Sequence, residues 1–482
     1  MQWNLADLEP PPERRVFCNR TLNMRAISVV GFDMDYTLVH YDVHEWEARA
    51  YAHVQRRLLQ RGYPVGGLRF DPELFARGLV LDLQFGNIVK ANRFGYVTRA
   101  AHGTSLLSHE AQRSKYSQVW VDLSESRWVF LNTLFSLSEA CIYAQLVELL
   151  DAGKLPKELG YKSLYELVSD TMNAAHLEGE LKAEIIAAPE KYVVLDADLP
   201  RALLDLKQAG KRLFLATNSE WHYTSAMMAY TFDRYLRGSK WRDLFEVVIV
   251  QARKPGFFDG AAVFEEVVDD AGTTRPWSGS LRSGGRYRGG NAQLLQEYLG
   301  VQGEDILYVG DHVYADVHVS SQIRRWRTAL VLRELEHEVA EEQAFAPDQV
   351  TLEGLMRKKG LLEFEQAMLR LALQRLDHGD PLPPIADASV PVIQERLRVL
   401  RTEVEGLDAR IGPLAKRASE LGHSIWGPLL RAGNDKSRLA RQIERHADVY
   451  TSRVANLLYL TPFGYLRAAR GSLPHDPDTT QH

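Results

Sequence analysis

The stretch "GFDMDYTLVHYD" (31–42) places two acids, Asp33 and Asp35, directly after the apolar run "AISVV". A short apolar run bounded by turn signals is typical of a strand buried on both faces of a parallel sheet. Taken alone, an acid pair at such a strand end is more often a helix cap or a turn. Whether the pair carries chemistry therefore depends on what the rest of the chain brings to it.

Three further segments have the same form, an apolar β-rich run that ends abruptly in small or polar residues. They are "RLFLATNSE" (212–220), "FEVVIVQARKPGFF" (245–258) and "DILYVGDHVYAD" (305–316). Helical patterns lie between them, as at 198–210 and 291–300. This alternation predicts an α/β fold with a Rossmann-like, doubly wound parallel sheet. Ligands in such sheets bind beyond the carboxyl ends of the strands, where all four polar clusters are expected.

The spacing of the clusters predicts the domain organisation. About 180 residues separate the first two clusters, far more than one crossover helix needs, so a large, mainly helical cap is predicted at 46–189. The catalytic core is then 1–45 and 190–385. Within it, the glycine-rich segment at about 258–290 is predicted to form a flap of hairpin and loop. The composition of 386–482 indicates a C-terminal helical region.

The C-terminal region contains a heptad seam, in which apolar residues recur at steps of four and three from Ile393 to Leu421. Gly412-Pro413 lies inside the seam and predicts a kink or a break. Three arrangements stay open: a long amphipathic helix packed on the core of its own chain, an intermolecular coiled coil, and a hairpin of two helices. The coiled coil would make this region an oligomerisation element, and we expect a homodimer or homotetramer.

Composition excludes several classes of protein. The chain has 482 residues, 45% hydrophobic and 25% charged, with a formal net charge of -5, which argues against a dedicated nucleic-acid binder. Its two cysteines, Cys18 and Cys141, give neither a disulfide framework nor a zinc site. The start "MQWNLADLEPPPERR" lacks the features of a signal peptide. We expect a cytoplasmic protein with neither a membrane nor a nucleic-acid partner.

Together the four clusters suit phosphoryl transfer. Asp33 is the candidate nucleophile, because attack by a carboxylate divides one hard transfer into two easier steps through an aspartyl-phosphate. Under period-two alternation Asp35 points the same way and is the candidate general acid, later the general base. Phosphate and carboxylates repel each other, so the site needs a divalent cation. Asp33 and Asp311 are the expected ligands for Mg²⁺.

The transferring phosphoryl group also needs fixed donors and a positive charge. Thr217 and Asn218 supply hydroxyl and amide groups, Lys254 supplies the charge, and Asp316 is placed to hold Lys254 or a metal-bound water. Each cluster alone has an ordinary explanation as a helix cap or a solvated loop. The ordered set D-x-D-x-T, T-N, K-P and G-D-x-x-x-x-D, each after an apolar run, is far less expected by chance.

The ordered set resembles the motifs of the haloacid dehalogenase-like (HAD) superfamily of phosphohydrolases. Motif one is DMDYT (33–37), motif two ATN (216–218), motif three RKP (253–255) and motif four GDHVYAD (310–316). Longer stretches resemble one branch, the cytosolic purine (IMP/GMP-preferring) 5′-nucleotidases. Among them are "FLATNSEWHYT" (214–224) and "ANLLYLTPFGYLRAARGSLPHD" (455–476). The resemblance implies a capped Rossmann-like core, Mg²⁺, and hydrolysis of a nucleoside monophosphate through an aspartyl-phosphate. It also implies that the backbone carbonyl of Asp35 reaches the metal.

The region that would bind the base matches that branch at fewer positions. By resemblance, Phe135 stacks on the base, and His176 and Lys182 are polar substrate contacts. Three positions differ from the Arg, Asp and Tyr of the purine nucleotidases: Ser169, Asn173 and Leu177. These changes remove hydrogen bonds that apolar contact cannot replace. Two alternatives stay open: a phosphatase for another small phosphate ester, and a non-catalytic scaffold that uses the heptad helix.

Overall fold

The computed structural model describes residues 9–177, 179–381, 383 and 389–471. The chain divides into two compact units. The first unit consists of Met1–Glu336 and Leu429–His482, and it contains the core and the cap. The second unit is His337–Pro428, which consists largely of long helix.

The first unit is built on a ten-stranded sheet, the core sheet. In chain order its strands are β1 (Val16–Cys18), β2 (Val29–Phe32), β3 (Arg212–Ala216), β4 (Val247–Val250), β5 (Phe264–Val267), β6 (Thr274–Pro276), β7 (Gly285–Gly289), β8 (Ile306–Gly310), β9 (Arg327–Val331) and β10 (Val449–Thr451). Their order across the sheet is β1-β10-β9-β8-β2-β3-β4-β7-β5-β6. Every pairing from β10 to β7 is parallel, while β1, β5 and β6 pair antiparallel. The predicted Rossmann-like parallel sheet is confirmed.

Strand β2 lies between β8 and β3, and all four of its residues are buried. Its Gly31 is needed for packing, because a Cβ there would lie 2.1 Å from the ring of Phe214 on β3. The helices of the core are Asp198–Gln208, Trp221–Phe232, Gly256–Asp259, Ala292–Leu299, Val319–Arg324, Arg438–His446 and Leu457–Leu460. Buried residues of Ala292–Leu299 and Val319 pack with strand residues Phe214 and Tyr308 in one apolar cluster. Covered strands of this kind explain the nearly continuous apolar runs in the sequence.

The cap is inserted between β2 and β3, as predicted. The chain leaves the core at His40–Tyr41 and returns at Val193–Val194, and these two short strands pair antiparallel as a connecting ribbon. The cap helices are Val43–Gln60, His109–Tyr116, Leu137–Asp151, Tyr161–Leu177, Glu180–Ala187 and Pro189–Tyr192. The cap also has a five-stranded antiparallel sheet, in the order Ser105–Leu106, Val97–His102, Asn87–Ala91, Val80–Asp82, Trp128–Phe130. The cap thus contains more strand than the sequence predicted.

Two predicted segments differ in the structure. In the segment predicted as a flap of hairpin and loop at about 258–290, β5 and β6 do form an antiparallel hairpin, but the segment is part of the core sheet, because β7 pairs with β4 and β5 pairs with β7. The predicted C-terminal region 386–482 is divided between the units, since β10 pairs with β9 and β1 in the core sheet. Both differences have one cause: "GRYRG" of β7 and "VYT" of β10 are too polar or too short to give a strand signal.

The heptad seam lies inside the second unit. Helices Leu335–His378 and Val390–Glu420 pack through two apolar clusters, in which Ile393, Leu400, Leu407 and Ile411 meet Leu369, Ala372, Leu352 and Leu355. Residues late in one helix meet residues early in the other, so the pair is an antiparallel hairpin. Helix Val390–Glu420 also continues through Pro413, so the predicted break is absent there. The seam therefore gives no ground for a coiled coil between chains, and the homodimer or homotetramer stays a prediction.

Ion pairs support this hairpin. They join Arg396 to Glu365 at 2.7 Å, Lys359 to Asp408 at 2.6 Å and Arg417 to Asp348 at 2.6 Å.

Neither of the two long helices has the length of apolar sequence that a bilayer crossing requires, and the same holds for every other helix in the described ranges.

A buried acid in the cap gives a test of this packing. Glu47 is 0% exposed; its Oε2 accepts from the Ser138 amide at 2.8 Å, and its Oε1 has no hydrogen-bond partner among the described residues. Burial raises its pKa from 4.5 to about 7, although Ser138 opposes the shift. The folded state therefore disfavours the ionised acid. As pH rises from the unfolded pKa of this group to about 7, Glu47 lowers the free energy of unfolding.

We expect Glu47→Gln to be more stable than the wild type at about pH 8 and to lose that advantage towards about pH 4. Between these two pH values the advantage in unfolding free energy should change by about 3 kcal/mol, because the pKa of Glu47 rises from 4.5 to about 7 on folding. Urea denaturation of both proteins at the two pH values measures it. If the difference in unfolding free energy between the two proteins did not vary with pH, Glu47 would have its ordinary pKa in the folded cap.

Candidate active site

The first cluster is a tight turn at the end of β2. The Asp33 amide donates to the Val309 carbonyl on β8 at 2.9 Å, which continues the ladder by one residue. The Met34 carbonyl then accepts from the amides of Thr37 at 3.2 Å and Leu38 at 2.8 Å, and Tyr36 has a positive φ of 54°. The turn holds the backbone of Asp33 and Asp35 at the carboxyl edge of the core sheet.

The second and third clusters are joined through Asn218. Its side-chain oxygen accepts from the Lys254 amide at 2.7 Å, and its side-chain nitrogen donates to the Lys254 carbonyl at 3.2 Å. Thr217 is fully buried, and its hydroxyl accepts from the Ser219 amide at 3.1 Å. Asn218 therefore fixes the loop after β4 against the loop after β3 and sets the position of Lys254.

Lys254 is the cation at the centre of the site. Its Nζ lies 2.7 Å from Asp33 Oδ1, 2.7 Å from Asp316 Oδ1 and 3.2 Å from the Tyr308 hydroxyl. Burial alone would lower the pKa of Lys254, but the carboxylates of Asp316 and Asp33 outweigh it and hold the pKa well above its usual value. The side chain stays charged and ties motif one to motif four.

Motif four folds back on itself. The Asp316 carboxylate accepts from the His312 amide at 3.1 Å, and its Cβ lies where a side chain on Gly310 would be, 2.5 Å from an ideal Cβ. Glycine at 310 is therefore required for the close approach of Asp316. The G-D-x-x-x-x-D spacing brings both acids to the end of β8.

The buried carboxylates of Asp33, Asp311 and Asp316 form an acidic cluster, with one oxygen of each within 4.8 Å of the others. Burial raises the pKa of Asp33 to about 7, against the effect of Lys254, and burial with Asp316 raises that of Asp311 well above its usual value. Asp311 Oδ2 is buried and has no hydrogen-bond partner among the described residues. Lys254 pairs with two of the three acids, Asp33 and Asp316, so the donor set suits a hard divalent cation bound through carboxylate oxygens.

Asp35 is held by neighbours on both of its oxygens. Oδ1 accepts from the Tyr41 hydroxyl at 2.6 Å, and Oδ2 accepts from the Ser219 hydroxyl at 2.8 Å. The Tyr223 hydroxyl donates in turn to that of Tyr41 at 3.0 Å. Burial, together with Asp35, raises the pKa of Tyr41 well above 10, so Tyr41 keeps its proton and remains a donor.

The predicted substrate residues have different surroundings. The Phe135 ring packs edge-to-face on Tyr36, with 4.6 Å between centroids, so it lies beside motif one. Lys182 donates to Glu220 at 2.7 Å, and its Nζ lies 5.0 Å from the centroid of the Tyr223 ring. The side chain of His176 falls outside the described part of the chain.

Several residues of the site were not predicted from the sequence. Ser219 directly follows Thr217 and Asn218, and Tyr41 lies in the stretch 31–42 that contains Asp33 and Asp35. Proximity to the motifs could therefore have indicated both residues. Arg77 has no such signal: it comes from the cap and donates from Nη2 to the Asp311 carbonyl at 3.3 Å and to the Val331 carbonyl at 3.2 Å. It thus joins the cap to the ends of β8 and β9.

Known proteins match this chain over most of its length. The model of the 5′ nucleotidase family matches residues 16–478. A 5′-nucleotidase domain-containing protein of Dictyostelium discoideum is 27% identical over 477 residues, which cover 96% of this chain and 74% of that protein.

Two solved structures are similar in part. One is a HAD phosphatase from Thermococcus onnurineus, 14% identical with a TM-score of 0.26, covering 64% of this chain and 87% of that one. The other is an archaeal β-phosphoglucomutase from Pyrococcus sp. strain ST 04, 12% identical with a TM-score of 0.30, covering 63% and 86%.

Proposed function

Since the chain belongs to the 5′ nucleotidase family and is a phosphoric monoester hydrolase, we propose that it hydrolyses nucleoside 5′-monophosphates through an aspartyl-phosphate, with IMP-like and GMP-like purines preferred. One observation supports the mechanism above all. Lys254 lies at 2.7 Å from both Asp33 and Asp316, beside the buried and unshared Asp311 Oδ2, at the edge where the parallel strands end.

In the proposed first step, Asp33 attacks phosphorus as the bond from phosphorus to the ribose 5′ oxygen breaks. Asp35 gives a proton to that leaving oxygen. In the second step Asp35 takes a proton from water as the water attacks the aspartyl-phosphate. Inorganic phosphate leaves, and Asp33 is regenerated as a carboxylate with Asp35 protonated again.

The other residues bind and orient the phosphoryl group in this proposal. Lys254 meets its negative charge, Thr217 and Asn218 supply donors and fix the loops, and Asp316 holds Lys254. Mg²⁺, held by carboxylates of Asp33 and Asp311 and by the Asp35 carbonyl, would neutralise charge between phosphate and acids.

The purine preference rests on the cap. Phe135 lies against Tyr36 of motif one, so its ring is close enough to the site to stack on a base. Lys182 and His176 are proposed as polar contacts, although Lys182 would have to share its charge with Glu220.

A substrate panel tests this proposal. Purified protein with Mg²⁺ is assayed for phosphate release from IMP, GMP, AMP, UMP and a set of sugar phosphates. We expect the highest kcat/KM for IMP and GMP. Turnover of sugar phosphates alone would instead support a phosphatase for another phosphate ester. If no compound released phosphate, both the nucleotidase and the phosphatase proposals would be overturned.

Removal of divalent cations is expected to lower phosphate release by at least about 100-fold, because the acidic cluster then faces the substrate phosphate without charge compensation. Activity is measured after treatment with EDTA and gel filtration, and again after Mg²⁺ is restored. Mg²⁺ should also raise the melting temperature of the resting protein, because it binds the folded site only. Full activity in the chelated protein, with no thermal shift, would refute the metal site.

A further inference from the structure

We propose that Tyr41 and Ser219 are positioning residues that hold the Asp35 carboxylate in the orientation needed for proton transfer to the leaving group. This inference rests on the proposed function, since it takes Asp35 as the proton donor. Tyr41 and Ser219 come from different elements, the connecting ribbon and the loop after β3, and they bind opposite oxygens of one carboxylate. Two donors on two oxygens fix both the position and the plane of the group.

The direction of the Tyr41 proton is determined by its neighbours. A phenol has one proton, and the Tyr41 oxygen already accepts the proton of Tyr223 at 3.0 Å. The Tyr41 proton therefore points at Asp35 Oδ1, 2.6 Å away. The three groups form a chain with a single direction, from Tyr223 through Tyr41 to Asp35.

The support of Tyr41 is rigid. It is 0% exposed, it pairs with Val193 in the connecting ribbon, and its ring packs edge-to-face on Tyr36 at 5.3 Å and on Trp46 at 5.9 Å. Groups locked by packing can hold a reacting side chain within the narrow range that proton transfer needs.

Ser219 and Tyr223 are linked to the cap on their other side. Lys182 of cap helix Glu180–Ala187 pairs with Glu220, the residue after Ser219, and its Nζ lies over the Tyr223 ring. One cap residue thus contacts Tyr223 and the immediate neighbour of Ser219. Residues of the core and of the cap therefore hold Asp35 in position together.

The chemistry of the leaving group separates positioning from a structural role. A ribose alkoxide leaves poorly without a proton, whereas p-nitrophenolate leaves readily without one. Loss of a correctly placed acid therefore harms nucleotide cleavage far more than aryl phosphate cleavage. The ratio kcat/KM is suited to the comparison, because it reports the steps up to release of the first product.

The test compares kcat/KM for IMP and for p-nitrophenyl phosphate in the wild type, Tyr41→Phe, Ser219→Ala and, as a reference, Asp35→Asn. We expect Tyr41→Phe to lower kcat/KM by about 10- to 100-fold for IMP and by less than about 3-fold for the aryl ester. The loss on IMP is smaller than the full contribution of a general acid, because Asp35 itself is still present. Asp35→Asn should show the same selectivity with a larger loss. Tyr298→Phe is the matched control, because Tyr298 donates to Glu246 at 2.7 Å at the opposite edge of the sheet.

Equal losses on both esters in Tyr41→Phe and Ser219→Ala would overturn the inference, as would full activity in both. If either variant fails to fold, judged by its melting curve, the other decides the question. A wild type that releases no phosphate from nucleotides while it cleaves p-nitrophenyl phosphate overturns the proposed substrate class instead. The two failures are therefore distinguishable.

Discussion

Asp33→Asn is expected to lower kcat for nucleotide hydrolysis by at least about 1,000-fold, because a neutral amide cannot replace a carboxylate nucleophile. The substitution keeps the shape of the side chain and removes a charge that burial disfavours, since burial raises the pKa of Asp33 to about 7. The variant should therefore remain folded, and the loss should appear in kcat with little change in melting temperature.

The measurement is phosphate release under saturating substrate, with Asp205→Asn as a matched control. Asp205 is exposed on helix Asp198–Gln208, so its substitution should leave kcat unchanged. Mass spectrometry of acid-quenched wild type should detect a phosphate adduct on Asp33 that the Asp33→Asn protein lacks. Residual turnover within about tenfold of the wild type would exclude the covalent mechanism.

Much of the site could be predicted from the sequence for a topological reason. Asp33, Thr217, Lys254 and Asp311 each closely follow a strand of one parallel sheet, and the carboxyl ends of parallel strands lie at one edge. Residues more than 200 positions apart therefore meet without any long-range signal in the sequence. The apolar runs were enough to identify β2, β3, β4 and β8, because central strands are buried on both faces.

The remaining features depend on contacts that local patterns do not contain. Arg77 reaches motif four from a loop of the cap, and nothing near it in the sequence marks the direction of its side chain. Tyr223 joins Tyr41 across about 180 residues, through a hydroxyl contact that has no spacing rule. The heptad seam predicted a partner helix but not which one, since periodicity describes one face only.

The second large effect is expected for Lys254→Met. Methionine is similar in length to lysine but has no charge. The substitution therefore removes the positive charge that pairs with Asp33 and Asp316, and these buried carboxylates are left uncompensated. Breaking a buried ion pair by removal of one partner costs about 3–5 kcal/mol. We expect the unfolding free energy of the metal-free variant to fall by about that amount, and kcat to fall by at least about 100-fold through loss of phosphate binding and orientation.

Urea denaturation with and without Mg²⁺, together with phosphate release, measures both effects. Lys358→Met, at an exposed helix position, is the control and should change neither quantity. Because the acidic cluster loses its internal cation, added Mg²⁺ should stabilise Lys254→Met more than it stabilises the wild type. A variant with wild-type stability in the absence of metal would mean that the acids near Lys254 are not ionised there, and the charge balance inferred for the site would be wrong.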